Sequence, residues 1–452
     1  MAFGVDTIDG RGQQYRRLQR RTVVADSPDG PSARHDLPSK VRATGLSVVV
    51  IVFLVSLFIP WIISIGSFRM SPNRLVLTAA LVPCLFLWVT GRAGLPRLTD
   101  FALILYSVWI SLSLIVLHGV GVAAQPAGIV VIETLGAYFV ARCFIRTADD
   151  FHRMVRILFI MVVCMLPLAF FEALTTINIS RILFGTVLPT FPDVNYEPRW
   201  GMRRVQSVFE HPILFGVCAS SIFGMTYLVL GYRQSLFRKV FRTGLVGMAT
   251  FLSLSAGPIT AMAAQVVLMG WSWVFTNTRY RWKLFLAGFA ASWIFISIIS
   301  SQSVPAFYIT HFTFDQQNAY FRILIWEFGM NSISHYPVFG TGLNEWVRPS
   351  WMPPSIDMFW LIHAIWYGVP AAFFMALAFL SAYYSIALKA NLTDREATYR
   401  FAYIVAMTGY FVVGWTVHFW NASYVLFAFL LGSGFWILDT ETTARKIGRT
   451  QS

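Results

Sequence analysis

Residues 401–438 read FAYIVAMTGYFVVGWTVHFWNASYVLFAFLLGSGFWIL, without one Lys, Arg, Asp or Glu. A helix needs about 20 apolar residues to cross a bilayer, so this run is long enough for two passes. The apolar residues are continuous rather than alternating, which excludes the strands of a membrane β-barrel. The knot His418-Phe419-Trp420-Asn421 divides the run. The stretch therefore predicts two spanning helices, near 401–418 and 422–438.

The same pattern extends outward through the chain. Residues 43–68, 101–132, 211–232, 243–278, 284–314 and 358–388 are also free of charge. Only 12% of the 452 residues are charged and 56% are hydrophobic, against roughly a quarter charged in soluble domains. Gly and Pro punctuate the longer runs, at Gly119-Val120-Gly121 and Gly257-Pro258. The expected spans are about 46–66, 75–91, 100–118, 126–142, 155–174, 210–230, 242–255, 258–277, 284–302, 358–387, 401–418 and 422–438. The fold class is an all-α polytopic membrane protein of about twelve transmembrane helices. Residues 1–42, rich in Arg, Asp, Gly, Pro and Ser, read as a disordered tail. They hold no apolar core or cleavage site, so no signal peptide is expected. Residues 43–438 form the membrane domain and 439–452 a second tail.

The charge distribution orients the chain. With the N-terminus in the cytoplasm, 27 of the 35 Lys and Arg fall on the cytoplasmic side, at both tails and near 92–97, 142–156, 233–242, 279–283 and 389–400. The other side keeps Arg69, Arg74, Arg181, Arg199, Arg203, Arg204, Arg322 and Arg348. This alternation is the positive-inside pattern, with both termini cytoplasmic. It also accounts for the net charge of +14 without nucleic acid. Cys84, Cys143, Cys164 and Cys218 lie in or beside apolar runs with no motif spacing, so neither a disulfide framework nor a metal site is expected.

Two outer loops are long, about 175–209 and 303–357, and are rich in aromatics, Pro and Gly. Loops of this length are usually functional when they are not low-complexity. The first ends Arg203-Arg204-Val205-Gln206-Ser207-Val208-Phe209-Glu210-His211-Pro212. Glu210 and His211 stand where the next helix begins, a position whose free N–H groups and dipole suit an anion, although His211 could simply cap the helix. In the second loop Phe321, Leu324, Ile325 and Phe328 have helical spacing. They predict an amphipathic helix with Arg322 near its start, where a cation opposes the dipole unless an anion visits. Gly340-Thr341-Gly342 allows a tight turn and, as a phosphate loop, is a weak signal. Asp357 sits at the water–lipid border, where Ser355 or Asp357 could cap the following helix.

These segments resemble the outer-loop motifs of the O-antigen polymerase/ligase superfamily. The resemblance is carried by Arg204, Ser207, Phe209, His211 and Pro212; by Arg322 and Trp326 followed by Pro337-Val338-Phe339-Gly340-Thr341-Gly342; and by Asp357-Met358-Phe359-Trp360-Leu361 with Tyr367-Gly368-Val369-Pro370. It implies a GT-C-like membrane glycosyltransferase of the bacterial inner membrane, with its active face periplasmic. Such an enzyme uses glycans linked to undecaprenyl diphosphate and needs neither cofactor nor metal. Arg204 and Arg322 would bind the diphosphate, with Arg203, His211, Trp326, Asn344 and Trp360 as candidate substrate-binding residues. Arginine suits that role because its planar fork matches phosphate oxygens and never loses its charge. A flippase and a chain-length regulator would be its partners, besides the bilayer.

Where the family usually has Gly, this chain has Ser207; where Asn often follows Pro, it has Ile213. At the position of the ligases' His stands Asp357, while His363 lies six residues further on, inside the span. A carboxylate there resembles the polymerase and exopolysaccharide branches and could take a proton from an attacking hydroxyl. The sequence therefore points to a polysaccharide polymerase with Asp357 as base. The alternatives are a ligase passing glycan to lipid A core or another acceptor, and a transporter or flippase of lipid-linked sugars. Transporters place polar sites at the membrane midplane and often show inverted repeats; here Glu133 and Glu172 are the exceptions to nearly charge-free spans, both near helix ends.

Overall fold

The computed structural model describes residues 45–65, 68–194, 196–300, 307 and 316–440. The expected tail at 1–42, the start of the second loop at 303–315 (except residue 307) and the C-terminal residues 441–452 lie outside them. The described chain is mostly α-helical. Among the described residues seven helices are long and apolar enough to cross a membrane: Pro72–Val89, Leu98–Phe144, Ala148–Thr175, Pro212–Leu230, Arg281–Ile299, Val369–Ala387 and Ala422–Thr440.

Polar contacts sort the helix ends into two groups. At one end Arg97 and Arg146 pair with Asp439 at 2.7 and 3.0 Å. Arg142 donates to the carbonyls of Ala93 and Leu95, at 2.6 Å each. At the same end Arg395 meets Asp149 at 2.7 Å and Tyr232 donates to Asp394 at 2.8 Å. At the other end Arg74, Glu133, Glu210 and Asn421 are joined, and residues 199–204 reach the turn at 254–255. Helices Pro72–Val89, Ala148–Thr175 and Pro212–Leu230 each run between these ends, with Arg74, Glu172 and Glu210 towards the second group and Trp88, Asp149 and Tyr232 towards the first. The loops rich in Lys and Arg fall in the first group and the long lysine-free loops in the second.

The 47-residue element Leu98–Phe144 is two helices rather than one. Gly119 departs from helical geometry at φ 75°, ψ 161°, which a residue without Cβ reaches readily. Beyond it the chain returns, because the Tyr138 hydroxyl donates to Asp100 at 2.5 Å and Arg142 stands 3.5 Å from the same carboxylate. Near the return, residues 132–136 widen into a π-helical turn that carries Glu133.

Three expected spans differ from what forms. Residues 46–66 are not one helix: Val48–Ser56 is helical, then Ile63–Ile65 and Phe68–Met70 pair as a short antiparallel hairpin. Pro60 explains the stop, since a proline lacks the N–H and clashes with the preceding turn. The break expected at Gly257-Pro258 falls at Ser253–Ser255, between helices Leu236–Leu252 and Ala256–Val274. Pro258 lies in the first turn of the second helix, where no intrahelical N–H is required. Residues 358–387 divide at Gly368 into Phe359–Tyr367 and Val369–Ala387.

A helix is present in the second loop as Gln316–His335, but it is not the amphipathic one expected, because Tyr320, Trp326 and Met330 are exposed while other apolar residues are buried. Leu324 and Ile325 are buried, with Phe321 and Phe328 partly so, against Leu361, Ile362 and Ile365. Arg322 lies in its second turn. Gly340-Thr341-Gly342 is a helix cap: the Thr341 and Gly342 N–H groups donate to the carbonyls of Ile365 and Trp366 at 2.9 and 2.8 Å. A Cβ on Gly340 would stand 2.4 Å from the Trp366 carbonyl carbon, so only glycine fits there.

Candidate functional site

The first loop is built on buried carboxylate and guanidinium groups. Glu172, near the C-terminus of helix Ala148–Thr175, accepts from the backbone N–H groups of Gln206 and Ser207, at 3.0 Å each. Arg203 is buried between Glu172, at 3.6 Å, and Asp193, at 2.5 Å, and also donates to the Thr176 carbonyl. Arg181 donates to the carbonyls of Phe191, Pro192 and Phe209. These two arginines are spent inside the loop, where they satisfy backbone and carboxylate groups that would otherwise be costly to bury.

Arg204, the next residue, faces a different environment. Its guanidinium donates to Ser255 Oγ at 3.1 Å and lies 5.6 Å from the Tyr196 ring centroid. It makes no ion pair among the described residues, and its Nε is buried without an acceptor. Burial and the nearby Arg199 hold its pKa down, to about 10. Arg199 donates to the Leu254 carbonyl at 2.7 Å, so both arginines close on one turn.

His211 caps helix Pro212–Ser221, its Nδ1 accepting from the Ile213 N–H at 3.0 Å. Burial, with Arg204 and Arg199 beside it, pushes its pKa down to about 3. The ring is therefore neutral near pH 7 and, with Nδ1 accepting, carries its proton on Nε2. It lies between Tyr196, 4.4 Å away, and Trp420, 6.0 Å away, measured between ring centroids.

Asp357 precedes helix Phe359–Tyr367 without capping it. Its side chain keeps an exposed face, yet the surrounding protein strips enough water to raise its carboxyl above the ordinary 3.8, and the Arg322 guanidinium opposes that rise. Arg322 is close enough to act on it electrostatically. Trp326, one turn beyond Arg322, is exposed and lies 6.1 Å from Trp415. Trp360 is turned into the bundle, where Nε1 donates to the Phe411 carbonyl at 3.0 Å and the ring lies against Gly414. Asn344 is exposed, and its backbone N–H closes a turn onto the Thr341 carbonyl. His363 is buried and bonds the Tyr106 hydroxyl at 3.0 Å.

Both halves border one segment, Gly414–Asn421, which includes the knot His418–Asn421 that divides the 401–438 run. The Phe359 N–H donates to the Val417 carbonyl at 3.2 Å, two residues beyond Asp357. On the other half, Gly257 packs against Thr416 and Val417, Trp420 lies beside His211, and Asn421 Nδ2 donates to Glu210 at 2.6 Å. No known family model matches the chain, and no curated protein matches it significantly. The chemistry of the site therefore rests on its own geometry.

That geometry includes groups that motif reading did not single out. Asn421 Oδ1 accepts from Arg74 at 2.5 Å, and Arg74 Nε pairs with Glu133 at 2.7 Å, which ties Glu210 to Arg74 and Glu133 through one amide. Asn421 holds a positive φ of 48°. Among the described non-glycine residues, Thr176, Trp200, Ser207 and Leu254 also have positive φ at this end, whereas only Arg233 and Asn391 do at the other. Strained backbone of this kind collects at functional sites, where the surroundings over-determine it. Arg199, Tyr196 and Ser255 complete the group, and only the outer-side charge count drew attention to Arg199. Among the described residues no three His, Cys, Asp or Glu side chains gather as metal ligands would.

Proposed function

We propose that the protein is a polysaccharide polymerase of the O-antigen polymerase/ligase kind, a GT-C-like enzyme with about twelve spans in a bacterial inner membrane. It transfers a glycan from undecaprenyl diphosphate to a hydroxyl of an incoming lipid-linked repeat unit at the periplasmic face. The reading is carried by one observation: Arg204, without a carboxylate partner among the described residues, holds Ser255, two residues before Gly257, which packs on Thr416 and Val417, and Asp357, influenced by Arg322, lies two residues before Phe359, whose N–H donates to the Val417 carbonyl. A desolvated guanidinium without a counterion is costly to a fold and valuable to an anion.

In the proposed reaction the acceptor hydroxyl attacks the anomeric carbon of the donor glycan. The bond from that carbon to the phosphate oxygen breaks, and the diphosphate departs with the electron pair. Arg204 and Arg322 stabilise the charge that develops on it. Asp357 takes the hydroxyl proton, and its raised pKa makes it a better base than an ordinary aspartate. His211, neutral with Nε2–H available, serves as a hydrogen-bond donor rather than a cation. A diphosphate is already a good leaving group, so no acid is required on it.

Supplying purified protein in vesicles with undecaprenyl-diphosphate-linked repeat units tests the reading. The expected product is a ladder of lengthened lipid-linked glycans, absent with Arg204→Ala. The ligase alternative takes over if a deletion strain accumulates polymer of normal length on its lipid carrier. Lipid-linked single repeats accumulating in that strain support the polymerase. A transporter is disfavoured because the long apolar helices carry few charged residues.

A further inference from the structure

The turn Ser253-Leu254-Ser255 receives two cations from the first loop. Arg199 Nη1 donates to the Leu254 carbonyl at 2.7 Å, and Arg204 Nη2 donates to Ser255 Oγ at 3.1 Å, so the guanidinium groups hold adjacent residues. Like charges this close repel, and the described residues place no carboxylate in an ion pair with either one. Other arginines of the same loop show what the fold does when it needs a neutral pin. Arg203 sits between Glu172 and Asp193, and Arg181 is surrounded by carbonyls.

Three further features belong to the same turn. Arg204 Nε is buried with no acceptor. Helix Ala256–Val274 begins here without a side-chain cap, because the Ser255 hydroxyl donates back to the Ser253 carbonyl at 2.8 Å. Its N-terminal dipole therefore adds positive potential to the arginines. Leu254, an aliphatic residue, is held at φ 44°, and Trp200, next to Arg199, at φ 54°. A chain that maintains two unfavourable backbone conformations to bring two cations together is organised around something that repays the cost.

We propose that Arg199, Arg204 and the N-terminus of helix Ala256–Val274 form one cradle for a diphosphate, which makes Arg199 a further anion-binding residue. The proposal rests on the reading of Arg204 given above and extends it. Two guanidinium groups and a helix N-terminus match a ligand with charge on two adjacent phosphates better than a single phosphomonoester. The Tyr196 ring, tilted against His211 and 5.6 Å from the Arg204 guanidinium carbon, forms a wall beside the arginine.

Geranyl diphosphate serves as a soluble probe, measured by calorimetry on the full-length protein in detergent. Wild-type protein should bind one equivalent, and geranyl monophosphate should bind more weakly. Arg199→Gln should weaken diphosphate binding about ten- to a hundredfold, the loss expected for charge-assisted bonds. It should leave the melting temperature of the ligand-free protein unchanged or higher, because a repulsion is removed. A diphosphate affinity within twofold of wild type would overturn the role of Arg199. Arginine-specific modification by phenylglyoxal, read by mass spectrometry on wild-type protein, gives a second measure that needs no variant. Geranyl diphosphate should protect Arg199 and Arg204 together. Protection of Arg204 alone overturns the cradle while sparing the role of Arg204, and protection of neither removes both. Full protection by phosphatidylglycerol vesicles without the probe would make a bilayer headgroup the ligand and defeat the proposal.

Discussion

Ser207 is wholly buried at φ 52°, where an L-residue costs roughly 1–2 kcal/mol and glycine costs little. Its hydroxyl is buried without a partner, while its N–H and carbonyl are engaged by Glu172 and Asn178. Ser207→Gly should therefore stabilise the protein by roughly 0.5 kcal/mol after the added chain entropy of glycine is subtracted. Ser207→Val should cost several times that, and thermal unfolding in detergent distinguishes the two. Asp357 supplies a second prediction at this scale. Its folded pKa lies above 3.8, so stability declines as pH rises from there through the folded value, while activity, which needs the carboxylate, rises over the same window. Asp357→Asn should abolish turnover but leave donor binding largely intact. Arg322 holds the pKa down, so Arg322→Gln should move the acid limb of the residual rate to higher pH. A limb that does not move would separate Arg322 from the proposed base.

At the level of elements, the π-helical turn Ile132–Gly136 presents Glu133 to Arg74 on helix Pro72–Val89. Both side chains are largely shielded, so the pair contributes little net stability but is expensive to break. Arg74→Leu should destabilise by about 3 kcal/mol because Glu133 is left charged and unpaired. Adding Glu133→Gln should recover more than half of that loss, measured by chemical or thermal unfolding of both variants. No recovery would show that Arg74 matters chiefly through Asn421, on which Glu210 depends. A similar repair stabilises helix Pro212–Leu230, which loosens at Ile222. Gln265 from helix Ala256–Val274 accepts from the Gly224 N–H at 3.0 Å and donates to the Ser220 carbonyl at 2.8 Å. In an apolar environment freed backbone groups require such a partner.

For the whole molecule, the sorting of helix ends into two groups makes a topology prediction. Single cysteines near residues 92, 150, 238 and 395 should be labelled by an impermeant maleimide only after the membrane is opened. Cysteines near 200 and 345 should react in intact spheroplasts. Labelling of residue 345 from the cytoplasmic side would end the proposed mechanism, because its lipid-linked substrates would stand across the membrane. The two ends also differ in construction. The Lys- and Arg-rich end closes through Arg97, Arg142 and Arg146 around Asp439, so each of these arginines has a carboxylate partner within the protein. At the opposite end Arg199 and Arg204 have no such partner among the described residues.

Helical class, the turn at Gly119, the helix of the second loop and the grouping of long loops apart from Lys-rich ones were all legible in the sequence. Each depends on local composition: apolar length, helical spacing, glycine placement and the count of cations per loop. The motifs around Arg204 and Arg322 were legible as residue types in order. Tertiary structure decided which of the adjacent arginines is spent. Arg203 and Arg204 are chemically identical, and only the positions of Glu172, Asp193 and Ser255, distant in sequence, make one a buried pin and leave the other without a counterion. It also decided that Gly340-Thr341-Gly342 caps a helix, that Trp360 faces the bundle, and that Arg74, Glu133, Glu210 and Asn421 act as one chain of contacts. These outcomes depend on contacts between helices remote along the chain, and no periodicity or motif spacing encodes which helix ends will meet.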